Sequence, residues 1–131
     1  MPSKLLLIAA GGAFGALLRY AVSGWTYAAM GEAFPWGTMA ANLAGCFLIG
    51  VLWAGSEGAS FSAETRAFVF TGMIGAFTTF STFGLDAVSL LRDGVAGRAL
   101  AYVVVSNVFG LALVYAGLVL GGYLLASGSG S

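Results

Sequence analysis

Histidine is missing from this chain, and its single cysteine, Cys46, lies inside an apolar run. Without these groups there is no imidazole and thiol pair, no disulfide framework and no His/Cys transition-metal constellation. Hydrolytic and redox chemistry lose most of their usual tools. Charge is sparse too: 8% of residues, with five Lys and Arg against five Asp and Glu. The few charges are scattered, so no basic stripe can track a phosphate backbone and no nucleic-acid partner is expected.

What is abundant is apolar surface. A soluble domain is about 45–50% apolar and about 25% charged, whereas 60% of these 131 residues are hydrophobic. A chain this short cannot hide that much apolar surface in a core, and lipid is the consistent solvent. Lys4 and the apolar run after it have the charge and hydrophobicity of a signal peptide, but small residues continue without a clear cleavage site. This segment reads as a retained first helix. About 20 apolar residues cross the hydrocarbon layer, and the charge-poor windows supply four spans, at about residues 4–25, 36–55, 66–91 and 98–126. The expectation is an all-α membrane protein with one four-helix domain over residues 1–126. The alternating Ser/Gly stretch 127–131 reads as a flexible linker or expression scar.

Trp36 and Trp53 stand 17 residues apart, a spacing that sets two rings near opposite interfaces of one membrane helix. Small residues recur at Gly11/Gly15, Ala41/Gly45, Gly72/Ala76 and Gly117/Gly121, the spacing at which helix backbones approach closely in lipid. The Gly-rich run from Gly11 to Gly15 is no dinucleotide loop, because no strand precedes it. Four spans put Lys4 and Arg66 on one side and Arg92, Arg98 and Arg19 toward the other, which leaves almost no bias to set orientation. Insertion in both directions, and pairing of opposed copies, follows as an expectation.

The third span holds Gly75-Ala76-Phe77-Thr78-Thr79-Phe80-Ser81-Thr82-Phe83-Gly84 near its middle. Thr and Phe lose rotamer freedom in helices, hydroxyls compete for backbone groups, and glycine flanks the run at both ends. A break in the helix is expected, facing an interface or a pore, since irregular backbone at membrane depth must be covered by protein or water. Asn42 brings a primary amide into the second span, where it reads either as interhelical glue or as a donor. Tyr102 and Ser106, at i and i+4, share a face of the fourth span. Asn107 points elsewhere and reads as glue. Arg19, near the end of the first span, either snorkels to the interface or lines a positive vestibule. Asp86 closes the third span, where it either caps a pore mouth or meets solvent, and solvent is the expectation.

Trp36-Gly37-Thr38 followed by Asn42, then Gly75 and Thr78-Thr79-Phe80-Ser81-Thr82-Phe83, resembles the Fluc (CrcB) fluoride channels, and the likeness runs from Lys4 to about Ala126. The resemblance implies an antiparallel dual-topology homodimer in a bacterial inner or plasma membrane, with two parallel pores. It also implies a central sodium ion held by the backbone carbonyls of Gly75 and Thr78. Phe80 and Phe83 become the ring pair of the fluoride path, Asn42 an amide donor beside them, and Tyr102, Ser106 and Thr82 a hydroxyl track, with Arg19 counted in the same path. Gly110 departs from the pattern, because relatives are expected to extend the track there. The implied function is passive fluoride export, in which the neutral acid leaks in, dissociates, and the anion leaves down its gradient.

A small proton-coupled antiporter of the multidrug type also fits a short four-span chain. It needs a carboxylate deep in a span, and Asp86 and Glu64 lie at span ends. An accessory subunit without transport would leave the polar run of the third span unexplained.

Overall fold

Leu5, Leu6, Leu7, Ala9 and Ala10 open the chain with strong helix formers, and helix α1 runs from Pro2 to Met30. It stops at Gly31, whose φ of 85° lies in the left-handed region and whose N–H donates to Tyr27 O at 2.8 Å. The structure, a computed structural model, describes residues 2–58 and 61–129, and of residues 126, 127 and 129 the backbone alone. Helix α2 (Trp36–Gly58) follows Pro35, whose carbonyl accepts from Met39 N at 3.1 Å.

Four segments then succeed one another. Ser62 caps α3 (Ala63–Arg66), its hydroxyl accepting from Thr65 N at 3.1 Å. A π-helical segment covers Ala67–Ile74 and leads into the short α4 (Gly75–Phe77). Thr78 and Thr79 are extended, with φ/ψ of −90°/159° and −148°/116°, before α5 (Phe80–Arg92) begins. A turn through Gly94 leads to α6 (Ala96–Ser129). Residues 130 and 131 of the Ser/Gly stretch lie outside the described residues.

The described residues form helices and no strand, and four helical stretches, Pro2–Met30, Trp36–Gly58, Ala63–Arg92 and Ala96–Leu125, are long and apolar enough to cross a membrane. They run past the apolar windows by up to about a turn and a half, with Gly31 ending the first and Ser62 capping the start of the third. Leu6, Leu17, Trp25, Leu111 and Leu124 are exposed, a distribution that suits lipid and not water.

Backbone contact joins the spans. Helix α2 packs most extensively on α6, and a Cβ on Gly117 would collide with Phe47 O and sit 2.9 Å from Val51 N. Helix α1 lies on the π-helical segment in the same manner, where a Cβ on Gly15 would collide with Met73 O. Gly45 faces Thr78 Cγ2 and the Phe77 ring. Met39, Leu90, Ala99 and Tyr102 form a buried cluster with Phe34, Trp36, Leu43 and Phe83 packed around it. Trp36 therefore belongs to this cluster, its ring 4.6 Å from that of Phe34. Trp53 is exposed and donates from Nε1 to Glu57 Oε1 at 3.0 Å.

Candidate functional site

Thr78 and Thr79 leave helical geometry because their backbone groups find other partners. The Thr79 N–H donates to Asn42 Oδ1 at 2.7 Å, and Asn42 Nδ2 donates back to Thr79 O at 3.1 Å. One amide thus grips both backbone groups of a single residue. The Thr82 N–H donates to Thr79 Oγ1 at 3.3 Å, so Thr79 also caps α5. Both diversions have a consequence one turn upstream. In an unbroken helix Thr79 N would reach Gly75 O and Thr82 N would reach Thr78 O. Here those two carbonyls lose their ordinary donors. Ala76 O, between them, accepts from Arg19 Nε at 3.1 Å.

Three rings follow the extended Thr78–Thr79 pair. Phe80 is 83% exposed, and its centroid lies 5.7 Å from that of Phe83, which lies 5.1 Å from Tyr102. Tyr102 is fully buried, and its hydroxyl donates to Asp86 Oδ2 at 3.1 Å. A phenol has one proton, and here it goes to Asp86. That carboxylate is half-buried, which corrects the expectation that it meets solvent. Asn107, expected to point away from the Tyr102/Ser106 face, donates from Nδ2 to Val103 O at 2.7 Å within its own helix and lines the same cavity as Ser106.

The residues singled out from sequence divide between two cavities. One, of about 310 Å³, is lined by Asn42, Thr78, Phe80, Phe83 and Ser106, together with Cys46. The other, of about 390 Å³, is lined by Arg19, Thr82, Tyr27, Thr38 and Asp86. Thr79 borders both. Neither cavity is lined by Gly75 or Tyr102. Ser106 Oγ is buried with no hydrogen-bond partner in the structure, an uncommon state for a hydroxyl. Arg19 does not simply snorkel, since its Nε is committed to the third span. Thr79 and Asp86 are the residues that sequence reasoning undervalued. Thr79 was visible only as part of the hydroxyl run, and nothing local marks Asp86 as the acceptor for a tyrosine on another helix.

Among the described residues no charged side chain lines the smaller cavity. What it offers a guest is a set of neutral dipoles: the remaining Asn42 N–H, the Ser106 hydroxyl, and the ring edges of Phe80 and Phe83, which carry partial positive charge. Such a lining suits a small anion held by several weak contacts in place of its water.

The family model described as CrcB-like protein, Camphor Resistance (CrcB), matches residues 6–118. The chain belongs to the CrcB family. A protein of Salinibacter ruber named Fluoride-specific ion channel FluC is 51% identical over 131 residues, covering 96% of this chain and 98% of its own length. Proteins bearing the same name from Parabacteroides distasonis and Thermus thermophilus are 47% and 42% identical, over 90% and 93% of this chain. With its four long apolar helices, this CrcB chain is a multi-pass bacterial membrane protein.

Proposed function

We propose that this protein is a fluoride channel that lets the anion leave the cytoplasm passively. The observation that carries the reading is the uncharged cavity beside the break, where Asn42, Ser106 and the Phe80/Phe83 edges supply donors without a cation that would trap the ion. The names of the relatives support the same substrate. Thr82 and Arg19 stand in the neighbouring cavity as a polar approach, with the Asp86 carboxylate balancing the guanidinium, and Tyr102 walls the path through its ring contact with Phe83.

The working unit in this reading is an antiparallel homodimer of oppositely inserted copies. Near-zero charge bias favours it, as do the exposed Phe80 ring and an exposed Gly75 at the break. In such a pair the two-fold axis lies in the membrane plane, and residues near mid-depth meet their own copies. Two carbonyls from each chain, Gly75 O and Thr78 O, would converge there without their helical donors. Unpaired carbonyls in a dry interface are costly, and a hard cation takes oxygen ligands. The residues fit a sodium ion held by backbone oxygen, and no group of three or more His, Cys, Asp or Glu gathers among the described residues to offer another donor set. When bound, the ion supplies a structural tie between copies.

Fluoride efflux from proteoliposomes, followed with an ion-selective electrode and with chloride as control, tests the function. Rapid fluoride loss without a proton gradient is expected. Equal chloride passage would replace the reading by a non-specific pore. A strict requirement for a proton gradient would favour an exchanger, for which the half-buried Asp86 under Tyr102 would be the proton site.

A further inference from the structure

Four backbone oxygens between Gly75 and Thr79 fall into two pairs. Ala76 O and Thr79 O are held by side chains from other spans, Arg19 of α1 and Asn42 of α2. Gly75 O and Thr78 O have had their helical donors diverted. Each carbonyl lies in its own rigid peptide plane, hinged to the next through the φ and ψ of one Cα, so holding Ala76 O and Thr79 O restrains the planes that carry Gly75 O and Thr78 O. Asn42 acts at one end of this lattice and Arg19 at the other.

We propose that Arg19 is a positioning residue for the backbone-oxygen cation site, acting through its Nε–H on Ala76 O and not through its charge. The inference rests on the sodium reading given above. Charge alone would work against a nearby cation, and the cavity that Arg19 lines also contains the Asp86 carboxylate, which offsets the guanidinium. What the guanidinium adds is a donor at the end of the first half of the third span, where a carbonyl at membrane depth needs a partner. The contact is also long-range, 57 residues apart in sequence, so it ties α1 to the break itself.

The donating atom permits a clean separation of the two roles. Arg Nε is bonded to Cδ, and glutamine carries its Nε2 on Cδ too, so Arg19→Gln keeps an N–H at that place and loses the charge. Arg19→Lys keeps the charge and puts a methylene there, with its amine one bond further out. Arg19→Met has neither. Thermal unfolding in detergent is measured for each protein as sodium replaces N-methylglucamine at constant ionic strength, in parallel with fluoride efflux. Removing a hydrogen bond is worth up to about tenfold in an equilibrium constant. The expected result is a sodium midpoint raised by up to about tenfold in Arg19→Met, raised nearly as much in Arg19→Lys, and close to wild type in Arg19→Gln. The reverse order, with Lys near wild type and Gln like Met, would overturn the proposal in favour of a charge effect. Unchanged midpoints in all three variants with lower efflux would overturn it in favour of a vestibule role. If Arg19→Met yields no folded protein, the comparison of Gln with Lys decides alone. If wild-type stability itself ignores sodium, the cation reading fails, which is distinct from failure of the Arg19 assignment.

Discussion

Replacing Asn42 by alanine removes both hydrogen bonds that hold Thr79, the 2.7 Å acceptor contact and the 3.1 Å donor contact. Interhelical bonds in membrane proteins are each worth about 0.6 to 1.7 kcal/mol, so the pair is worth about 1 to 3 kcal/mol. The lower end applies if Thr79 N turns back to Gly75 O and the two halves of the third span rejoin as one helix. The upper end applies if Thr79 keeps its extended backbone with an unpaired N–H. Equilibrium unfolding in mixed detergent micelles reads the stability, and proteoliposome efflux reads the function. Asn42→Asp is the informative companion, because it keeps an acceptor for Thr79 N while placing a second carboxylate oxygen against Thr79 O. It is expected to be less stable than Asn42→Ala despite its closer shape. Stability of Asn42→Ala within about 0.3 kcal/mol of wild type, together with normal efflux, would refute the clamp.

Phe80→Ile and Phe83→Ile should cut fluoride efflux far more than they cut stability, since apolar bulk is largely kept and the ring edges are lost; normal conduction by both folded variants would reduce the rings to packing. Phe80, exposed in the single chain, should shift unfolding by less than about 0.5 kcal/mol in a monomeric state. Gly117→Leu should abolish folded protein on size exclusion, because its side chain would enter the Phe47 carbonyl, whereas Gly122→Leu, which meets nothing within 4 Å, should be tolerated. Tags on the termini should be reachable from both sides of sealed cells; access from one side only would rule out dual topology.

The four spans were legible because sparse charge leaves long apolar windows, and the small-residue pairs were legible because backbone approach in lipid demands them. Gly15 and Gly117 do make such contacts. The π-helical segment Ala67–Ile74 was not legible. Its composition suits an α-helix, and no local signal marks a widened turn. The Asn42 amide was visible as a polar group in need of a partner, but one residue cannot announce which backbone it will grip. Arg19 misled for a related reason: its place near a span end argues for snorkelling, and only the third span's geometry offers it Ala76 O. Tyr102 and Asp86 lie 16 residues apart on different helices, and their pairing exists only after α5 and α6 pack.

The close backbone contacts at Gly11, Gly15, Gly50 and Gly117 have a genetic corollary. Any single-base missense change in a glycine codon adds at least a methyl group, and most add charge, branching or a thiol. There is no smaller neighbour to drift to. Each of these codons is therefore surrounded by steps that push two helices apart, while a leucine on the lipid face, such as Leu17 or Leu111, has apolar neighbours within one base. Variation among descendants of this gene should gather on the membrane-facing ridges and leave the glycine seams almost untouched, even though those seams touch no ion.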